Sequence, residues 1–366
     1  QIDVLAPHAP GTLNHEVMEG ITVYRYRYFF ESLERLTYAG GILENLKKNP
    51  LNYCLVPFLL IAQAVALLRL IRKGNYRVMH AHWLIPQGFV CAIVCALPGK
   101  NIPALICTSH GGDLYALNNI FFTKIKRWII ARCRTFCVVS HAMKRKVTEM
   151  GIDPKHVEVM PMGVDLEQTF VPVPDIARQV NRLIYVGRLV EKKGVEVLLD
   201  AMQVLIPQFP DIELLIVGDG PLRGALEHKV RDAGMEDSVH FQGSVAHGQL
   251  PELYSSSSIA VVPSVIARSG DQEGLGLVII EAMGCECAVV ASDLEAIRDI
   301  ITPETGVLVE PANPDGLTAA ITGLLNDPER RNRLAVSGRV RARGLFDWGV
   351  SGEKYRRLLL AVDRSG

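Results

Sequence analysis

The chain has 366 residues, of which 49% are hydrophobic and 21% charged, a balance that is typical of folded globular proteins and excludes a disordered chain. This length predicts two domains. The formal net charge is zero, yet the residues up to Asp165 carry a net charge of +8 and the remainder −8. No acidic residue lies between Glu44 and Asp113, so the first half either faces an anionic membrane surface or acceptor, or merely has an uneven surface.

The cysteines and the most apolar segment bear on location. The eight cysteines lie mostly inside apolar segments, as core residues of a protein in a reduced compartment do, and two pairs are spaced by four residues, unlike zinc knuckles. The segment from Leu55 to Ile71 is strongly apolar but contains Pro57, Gln63 and Arg69. It therefore predicts a buried or interfacial helix rather than a membrane span. We expect a cytoplasmic protein, with a peripheral position on the inner face of the membrane as an option.

The first half alternates between short apolar strands and helices. Residues 8–52 are aromatic and basic with few clear periods, although 24–30 alternate partly like a strand. Strands are predicted at 1–7, 77–83, 104–110, 135–140 and 157–160, and helices at 54–73, 88–96, 120–133 and 141–150.

The second half repeats this alternation after a linker that contains Pro172 and Pro174. Such a pattern predicts an α/β protein with parallel sheets covered on both faces, arranged as two Rossmann-like domains, with ligands at the carboxyl ends of the strands. Strands are predicted at 183–187, 213–217, 239–241, 259–263, 288–291 and 306–309, and helices at 195–205, 222–233, 250–256, 275–283, 314–343 and 347–362.

The stretch from Asp271 to Met283 is the most informative. Its apolar residues recur at helical spacing, which predicts a buried helix that begins near Leu275, with Glu281 on its third turn. Gly274 and Gly276 would leave bare N–H groups at the helix start, which is an anion site. Because a carboxylate repels phosphate, Glu273 should face neutral groups such as sugar hydroxyls. Glu281 lies among apolar residues and needs a buried partner.

Glu273 and Glu281 form a Glu-x7-Glu pattern that resembles the signature of retaining glycosyltransferases of the GT-B fold, most closely glycosyltransferase family 4. The resemblance implies that Glu273 contacts the donor hexose and Glu281 the ribose. It implies two Rossmann-like domains that face a central cleft, with residues 1–165 on the acceptor side and 166–346 binding the nucleotide sugar. It also implies that the family's first strand and glycine-rich loop are missing from this sequence.

A basic turn follows the strand at 183–187. The segment from Gly187 to Gly194 resembles the family's GR-x4-KG motif, whose Arg and Lys, here Arg188 and Lys193, bind the donor diphosphate. The chemistry is consistent, because fixed cations stabilise the negative charge that the leaving nucleoside diphosphate gains in the transition state. The alternative is a solvated basic turn.

Further strand ends carry polar signatures. Gly218-Asp219-Gly220-Pro221 resembles the family's turn near the nucleotide, and its proline breaks the dinucleotide fingerprint. The segment 241–245 resembles one that contacts the base through its backbone, with Leu250 nearby. His110 ends a buried strand and matches the family histidine that contacts the donor sugar near the reaction centre. A further strand-end cluster is either on the acceptor side or structural; it comprises His80, His82 and Trp83.

The predicted function is transfer of a hexose, with retention, from a UDP- or GDP-linked sugar to a lipid-linked or saccharide acceptor in cell-surface glycan or glycolipid synthesis. No metal is expected, since no DxD pattern ends a strand. No other cofactor and no nucleic acid partner is expected either. The alternatives are a non-catalytic nucleotide-sugar-binding subunit and a GT-B UDP-sugar epimerase. The predicted catalytic residues are His110, Glu273, Arg188 and Lys193. The predicted donor-binding residues are Gly187, Arg188, Lys193, Gly218, Gly220, Val245, Leu250, Glu273, Gly274, Leu275, Gly276, Leu277 and Glu281.

The carboxyl end resembles the family's terminal helix, which returns to the first domain. After Asp347 and Trp348, the side chains of Tyr355, Leu358, Leu359 and Val362 fall on one helical face and need a groove. A chain that crosses back, over 347–366, makes two hinges, near 162–165 and near 344–348, and these would let a cleft open and close.

Overall fold

The computed structural model describes residues 2–38, 42–98 and 102–364. The chain divides into two compact units. The first unit takes the residues up to Thr108, Lys124–Phe136 and the residues from Ala361, and the second unit takes Ser109–Thr123 and Cys137–Leu360. The domain boundaries expected at 165 and 346 stay a prediction.

The first unit contains a small mixed sheet with the strand order β1-β3-β2. Its first and third strands run parallel, and the second is antiparallel to the third. The second strand, which is short and mostly exposed, and a short helix after the third strand were not predicted from the sequence. These elements are β1 Asp3–Pro7, β2 His15–Met18, β3 Ile21–Tyr26 and α1 Ile42–Lys48.

A four-stranded sheet has the order β4-β5-β6-β7, and β4 pairs in parallel with β5. Its strands are β4 Val78–His82, β5 Ala104–Ser109, β6 Thr135–Val138 and β7 Val157–Val159. The helices of this half are α2 Val56–Lys73, α3 Phe89–Ala96, α4 Gly112–Tyr115, α5 Ile120–Ile130 and α6 His141–Glu149. The predicted strands and helices are confirmed here, with ends that differ by a few residues.

The second unit is built on a six-stranded parallel sheet with the order β10-β9-β8-β11-β12-β13. Its strands are β8 Gln179–Val186, β9 Glu213–Val217, β10 Val239–Gly243, β11 Ser257–Val262, β12 Ala288–Ser292 and β13 Val307–Val309. Its helices are α7 Val195–Leu205, α8 Arg223–Asp232, α9 Leu250–Ser256, α10 Leu277–Gly284, α11 Pro314–Asn326 and α12 Pro328–Phe346. The last helix, α13 Trp348–Arg364, begins in the second unit, and its residues from Ala361 belong to the first unit.

The central strands of this sheet are buried on both faces, since every residue of β11 and β12 is buried. Strand residues such as Leu214 and Ile259 share one core cluster with Leu198 of α7 and Ile321 of α11. Parallel strands connected by helices bury their hydrogen-bonding edges and both faces in this way. The predicted α/β fold with parallel sheets is therefore confirmed.

One helix begins two residues after its predicted start. Helix α10 begins at Leu277, not near Leu275, because Gly276 takes left-handed backbone angles, φ 100° and ψ 60°, which no right-handed helix contains. Leu275 is buried, but in the loop before the helix. Glu281 consequently lies on the second helical turn and not on the third.

The two segments predicted to act as hinges lie side by side in the second unit. Val164 and Asp347 form a parallel β-bridge. The Val164 N–H donates to the carbonyl of Phe346 at 2.9 Å, and the Trp348 N–H donates to the carbonyl of Val164 at 3.0 Å. The Trp348 indole N–H donates to the carbonyl of Gly163 at 3.0 Å. The two segments are thus tied together by both backbone and side chain.

Candidate functional site

The predicted donor-binding residues gather at the carboxyl ends of β8, β9 and β10 and at the start of α10, all in the second unit. β8 ends just before Gly187, and β9 just before Gly218. The turn after β10 contains Val245, which is half-buried, and leads to the buried Leu250 at the start of α9. Parallel α/β sheets place ligands at this edge.

The floor of the site is made of main chain packed on main chain. The Gly187 N–H donates to the carbonyl of Val217 at 2.9 Å, and the Gly218 N–H donates to the carbonyl of Gly243 at 2.8 Å. A Cβ atom at Gly218 would collide with the carbonyl oxygen of Gly187, and one at Gly220 with that of Leu189. Glycine is required at these positions because no side chain fits between the turns.

Gly194 fixes the basic turn after β8. It has a φ of 63°, and a Cβ there would collide with the carbonyl oxygen of Pro263. Beside this contact, the Val265 N–H of the loop after β11 donates to the carbonyl of Lys192 in the basic turn at 2.8 Å. The turn that carries Lys193 is therefore held against the loop that follows β11.

The two lysines of this turn meet the two carboxylates of the loop before α10. Lys193 Nζ lies 2.6 Å from Glu273 Oε1, with both side chains nearly buried, and Lys192 Nζ lies 3.1 Å from Asp271 Oδ2. Burial opposes ionisation of Glu273, but Lys193 and then Lys192 outweigh it, so the pKa of Glu273 is lowered. Glu273 is therefore ionised in the folded protein at neutral pH.

Tyr185 and Arg188 complete this part of the site. The Tyr185 hydroxyl donates to the carbonyl of Arg188 at 3.0 Å, which orients the turn from inside the core. Burial, followed by the charge of Glu273, raises the pKa of Tyr185, so this hydroxyl stays protonated and can donate. Arg188 is half-buried at the strand end.

His110 follows β5 and lies against the same loop. Its backbone N–H donates to Asp113 Oδ1 at 3.2 Å, and its ring Nδ1 lies 3.2 Å from the Sδ of Met162. A Cβ at Gly274 would lie 3.1 Å from the Cα of Gly111, so the backbone after His110 touches the backbone after Glu273. The structure thus brings together three of the predicted catalytic segments, which carry His110, Lys193 and Glu273.

Glu281 has the buried partner that its surroundings require. The Tyr254 hydroxyl donates to Glu281 Oε2 at 3.2 Å, and His247 Nε2 lies 3.7 Å from Oε1. Burial raises the pKa of Glu281, although His247 and Tyr254 act in the opposite direction. The His247 ring packs edge-on against Phe170, with centroids 5.0 Å apart.

Sequence reasoning missed Tyr254, His247 and Phe170 as neighbours of this carboxylate. His247 lies in the turn after β10, so its strand-end position was a usable signal. Tyr254 carried no such signal, because it is separated from Glu281 by many residues and meets it only through the fold. Phe170 carried none either, and it packs on the rings of His247 and Tyr254.

Gly274, Leu275 and Gly276 are buried, and Leu277 is half-buried at the first position of α10. The cluster of His80, His82 and Trp83 belongs to the first unit, where His80 Nε2 lies 2.8 Å from the Thr108 hydroxyl and burial lowers the pKa of His82.

Within the described residues, no group of three or more His, Cys, Asp or Glu side chains could hold a metal ion. Independence from metal stays a prediction.

Comparison with known proteins identifies relatives of both halves. The model for glycosyltransferase family 4 matches residues 1–168, and the model for glycosyl transferases group 1 matches residues 168–341. A GDP-mannose-dependent monoacylated alpha-(1-6)-phosphatidylinositol monomannoside mannosyltransferase of Corynebacterium glutamicum is 28% identical over 239 residues, 62% of each chain. A GDP-mannose-dependent alpha-(1-6)-phosphatidylinositol monomannoside mannosyltransferase of Mycolicibacterium smegmatis is 32% identical over 214 residues, 56% of each chain. The chain thus matches less than two thirds of the length of these two relatives.

Solved structures agree with this assignment. Sucrose-phosphate synthase from Thermosynechococcus elongatus superposes with a TM-score of 0.77 at 25% identity, covering 98% of this chain and 89% of that one. Anabaena Alr3699/HepE in complex with UDP-glucose superposes with a TM-score of 0.69 at 16% identity, covering 99% and 100%, which bears on the fold alone. Two family models that meet at residue 168, together with this fold, establish that the chain belongs to glycosyltransferase family 4, the glycosyl transferases of group 1 with the GT-B fold.

Proposed function

We propose that the chain is a retaining glycosyltransferase that moves a hexose from a UDP- or GDP-linked sugar to a lipid or saccharide acceptor in cell-surface glycan or glycolipid synthesis. The observation that carries the proposal is the 2.6 Å contact between Lys193 and Glu273. It joins the basic turn after β8 to the loop before α10, beside the backbone of Gly111. In this proposal, the cation serves a diphosphate and the carboxylate a sugar hydroxyl, at the point where the two side chains meet.

Lys193 and Arg188 take the diphosphate in this proposal. An ammonium group has three protons, so Lys193 can donate to phosphate oxygens while it keeps its bond to Glu273. Breaking the glycosidic bond transfers negative charge to the leaving phosphate, and cations fixed beforehand stabilise that charge most in the transition state. The backbone N–H groups of Gly274 to Leu277, at the start of α10, add hydrogen-bond donors whose partial positive charge also attracts phosphate.

The carboxylates orient the rest of the donor. Glu273 accepts hydrogen bonds from the hexose, and Glu281 accepts them from the ribose, while the turn from Val245 to Leu250 faces the base. His110 contacts the hexose near the reacting carbon. Retention follows from front-face departure and attack, with the leaving phosphate accepting the acceptor's proton.

GDP-mannose is the first donor to test, because two of the similar proteins are named GDP-mannose-dependent mannosyltransferases. Both of those names also specify a phosphatidylinositol mannoside as the substrate, which favours a glycolipid acceptor here. The eight free cysteines suit the cytoplasm, where thiols stay reduced and where we place the reaction.

The test is a donor panel with the full chain, in which release of GDP or UDP is measured with and without phosphatidylinositol mannoside. Release that requires the acceptor, together with an α-anomeric product by NMR, supports the proposal. An inverted product would refute retention. Nucleotide binding without release would favour the binding subunit, and a sugar epimer among the products would favour the epimerase.

A further inference from the structure

Helix α2 of the first unit carries several of its large apolar side chains on the outside. Phe58, Ile61 and Val65 recur at spacings of three and four residues, so they fall on one face. They are 48%, 62% and 40% exposed. In a helix on the surface of a soluble protein this face is normally polar.

The opposite face of α2 is the one that packs on the first unit. Leu59 is buried in a cluster with Tyr26, Tyr28 and Leu36, and Ala62 packs against that cluster. Gln63 is also buried on this side, and its Oε1 has no hydrogen-bond partner within the part of the chain that the structure describes. The helix therefore places a polar group inside and apolar groups outside, which packing within the unit does not explain.

Neighbouring segments extend the exposed apolar face. Phe58 contacts Phe29 with ring centroids 5.0 Å apart, and Phe29 in turn contacts Phe30, which is 74% exposed. The short 3-10 helix that leads into α2 adds Leu51 and Tyr53, both strongly exposed. We call Phe30, Leu51, Tyr53, Phe58, Ile61 and Val65 the apolar stripe. Exposed apolar groups that cluster in this way mark interaction sites.

Positive charge continues the same face of the helix. Arg69 and Arg72 lie four and seven residues beyond Val65, which keeps them on the side of the apolar stripe, and Lys73 follows; all three are exposed. These three residues form the basic end. No acidic residue occurs between Glu44 and Asp113 in the sequence, so nothing in this stretch offsets their charge.

We propose that the apolar stripe and the basic end form a docking surface for an anionic lipid bilayer, on which α2 lies flat. Apolar side chains on one side of a helix enter the boundary between headgroups and acyl chains, and nearby Arg and Lys side chains bind anionic headgroups. The positive charge of the basic end favours anionic headgroups as the partner, because opposite charges then meet beside the apolar stripe. The proposal is independent of the glycosyl-transfer reaction.

A spanning orientation is the competing membrane geometry. By length and composition, the helical stretch Pro50–Lys73 could cross a bilayer; it is the only such stretch among the described residues. A crossing helix would have to withdraw Leu59 from its cluster and expose Gln63 to hydrocarbon, which is costly. A helix lying in the interface keeps both residues where the structure has them.

The test is co-sedimentation of the full chain with vesicles of phosphatidylcholine, alone or mixed with phosphatidylglycerol. Binding should rise with phosphatidylglycerol and fall with salt. The double variant Phe58→Ser, Ile61→Ser should bind about tenfold less, a loss of about 1.4 kcal/mol of apolar burial. The matched control changes two exposed valines of α12 in the second unit, Val336→Ser and Val340→Ser, and should bind like the parent chain.

Substitutions in the basic end test the electrostatic part of the binding separately. Arg69→Gln and Arg72→Gln should each weaken binding to anionic vesicles about fivefold and leave binding to pure phosphatidylcholine unchanged. Thermal unfolding of each variant verifies that the fold is intact. Equal binding by the stripe variant and its control, or no vesicle binding at all, would overturn the proposal. Carbonate-resistant insertion would overturn the flat orientation, and a dimer that the stripe variant abolishes, without lipid binding, would show a protein interface instead.

Discussion

Lys193 donates to Glu273 across a loop junction, and this contact contributes most to keeping the buried carboxylate ionised. If Lys193 also holds the donor diphosphate, Lys193→Ala should weaken GDP or UDP binding about ten- to hundredfold, since hydrogen bonds to charged groups contribute about 1.5–3 kcal/mol. Isothermal calorimetry measures this directly. Lys192→Ala is the matched control, because Lys192 pairs with Asp271 and should affect binding little. Unchanged affinity in Lys193→Ala would remove Lys193 from the diphosphate site.

The two glutamates should divide the donor between them. Glu281 lies beside Tyr254 and His247, on the second turn of α10, while Glu273 precedes that helix. Glu281→Gln should therefore weaken both the free nucleotide and the complete donor, whereas Glu273→Gln should weaken only the sugar-bearing donor. Competition binding with GDP and with GDP-mannose compares the two variants. An equal loss of free GDP in both would contradict this division.

Glu273 also links stability to pH. Its pKa in the folded protein is lower than the ordinary value of 4.5, despite burial, because of Lys193 and Lys192. The unfolded chain therefore binds the proton more readily, so the stabilisation from this carboxylate is complete above pH 4.5 and is lost as the pH falls through the folded pKa. Urea unfolding over this range should show a smaller acid loss in Glu273→Gln than in the parent chain. Identical pH profiles would show that the contact contributes nothing.

At the scale of elements, the turn after β8 depends on one glycine. Gly194→Ala puts a side chain at a φ of 63° and against the carbonyl of Pro263, so the turn must move and carry Lys193 with it. We expect a loss of several kcal/mol in the free energy of unfolding and loss of nucleotide binding. Gly224→Ala is the control, because it meets open space in the first turn of α8 and should stabilise by about 0.5–1 kcal/mol. A Gly194→Ala protein that unfolds and binds like the parent chain would refute this account.

Periodicity and strand ends predicted most elements, because buried parallel strands and their helices leave strong local patterns. The helix α7 was predicted with its observed ends, and so was the strand β9. β2 was not predicted because its four residues are mostly exposed and show no apolar alternation. The start of α10 was predicted two residues too early because the apolar Leu275 fits the helical spacing. The left-handed backbone angles of Gly276, which exclude it from the helix, are not visible in a hydrophobic pattern.

The candidate site was predictable where motifs carried it and unpredictable where the fold joins distant residues. Arg188 and Lys193 follow a strand, Glu273 precedes α10, and Glu281 lies on the second turn of that helix. The pairing of Lys193 with Glu273 could not be predicted, since 80 residues separate them and the turn is held in place by Pro263 and Val265. The same holds for Tyr254 and Glu281, which the packing of α9 on α10 brings together.

For the whole molecule, the expected motion rests on the segments 162–165 and 344–348. Both were predicted as hinges, and the structure ties them together through the bridge between Val164 and Asp347. Asp347 also accepts from the Leu166 N–H at 3.2 Å. A change at one segment must therefore be transmitted to the other, so we expect the two to move as one when the donor binds.

This junction gives the protein a built-in fluorescent reporter. Trp348 is 63% exposed and donates its indole N–H to Gly163, so a shift of either segment changes the polarity around the ring. The chain has three tryptophans, and Trp83→Phe with Trp128→Phe leaves Trp348 as the sole emitter. Saturating GDP-mannose should shift the emission maximum of this variant, and Trp348→Phe in the parent chain should lose that component. Unchanged emission at saturation would mean that the paired segments stay still. If the emission maximum shifts, titrating that shift with donor measures the donor affinity without an added label.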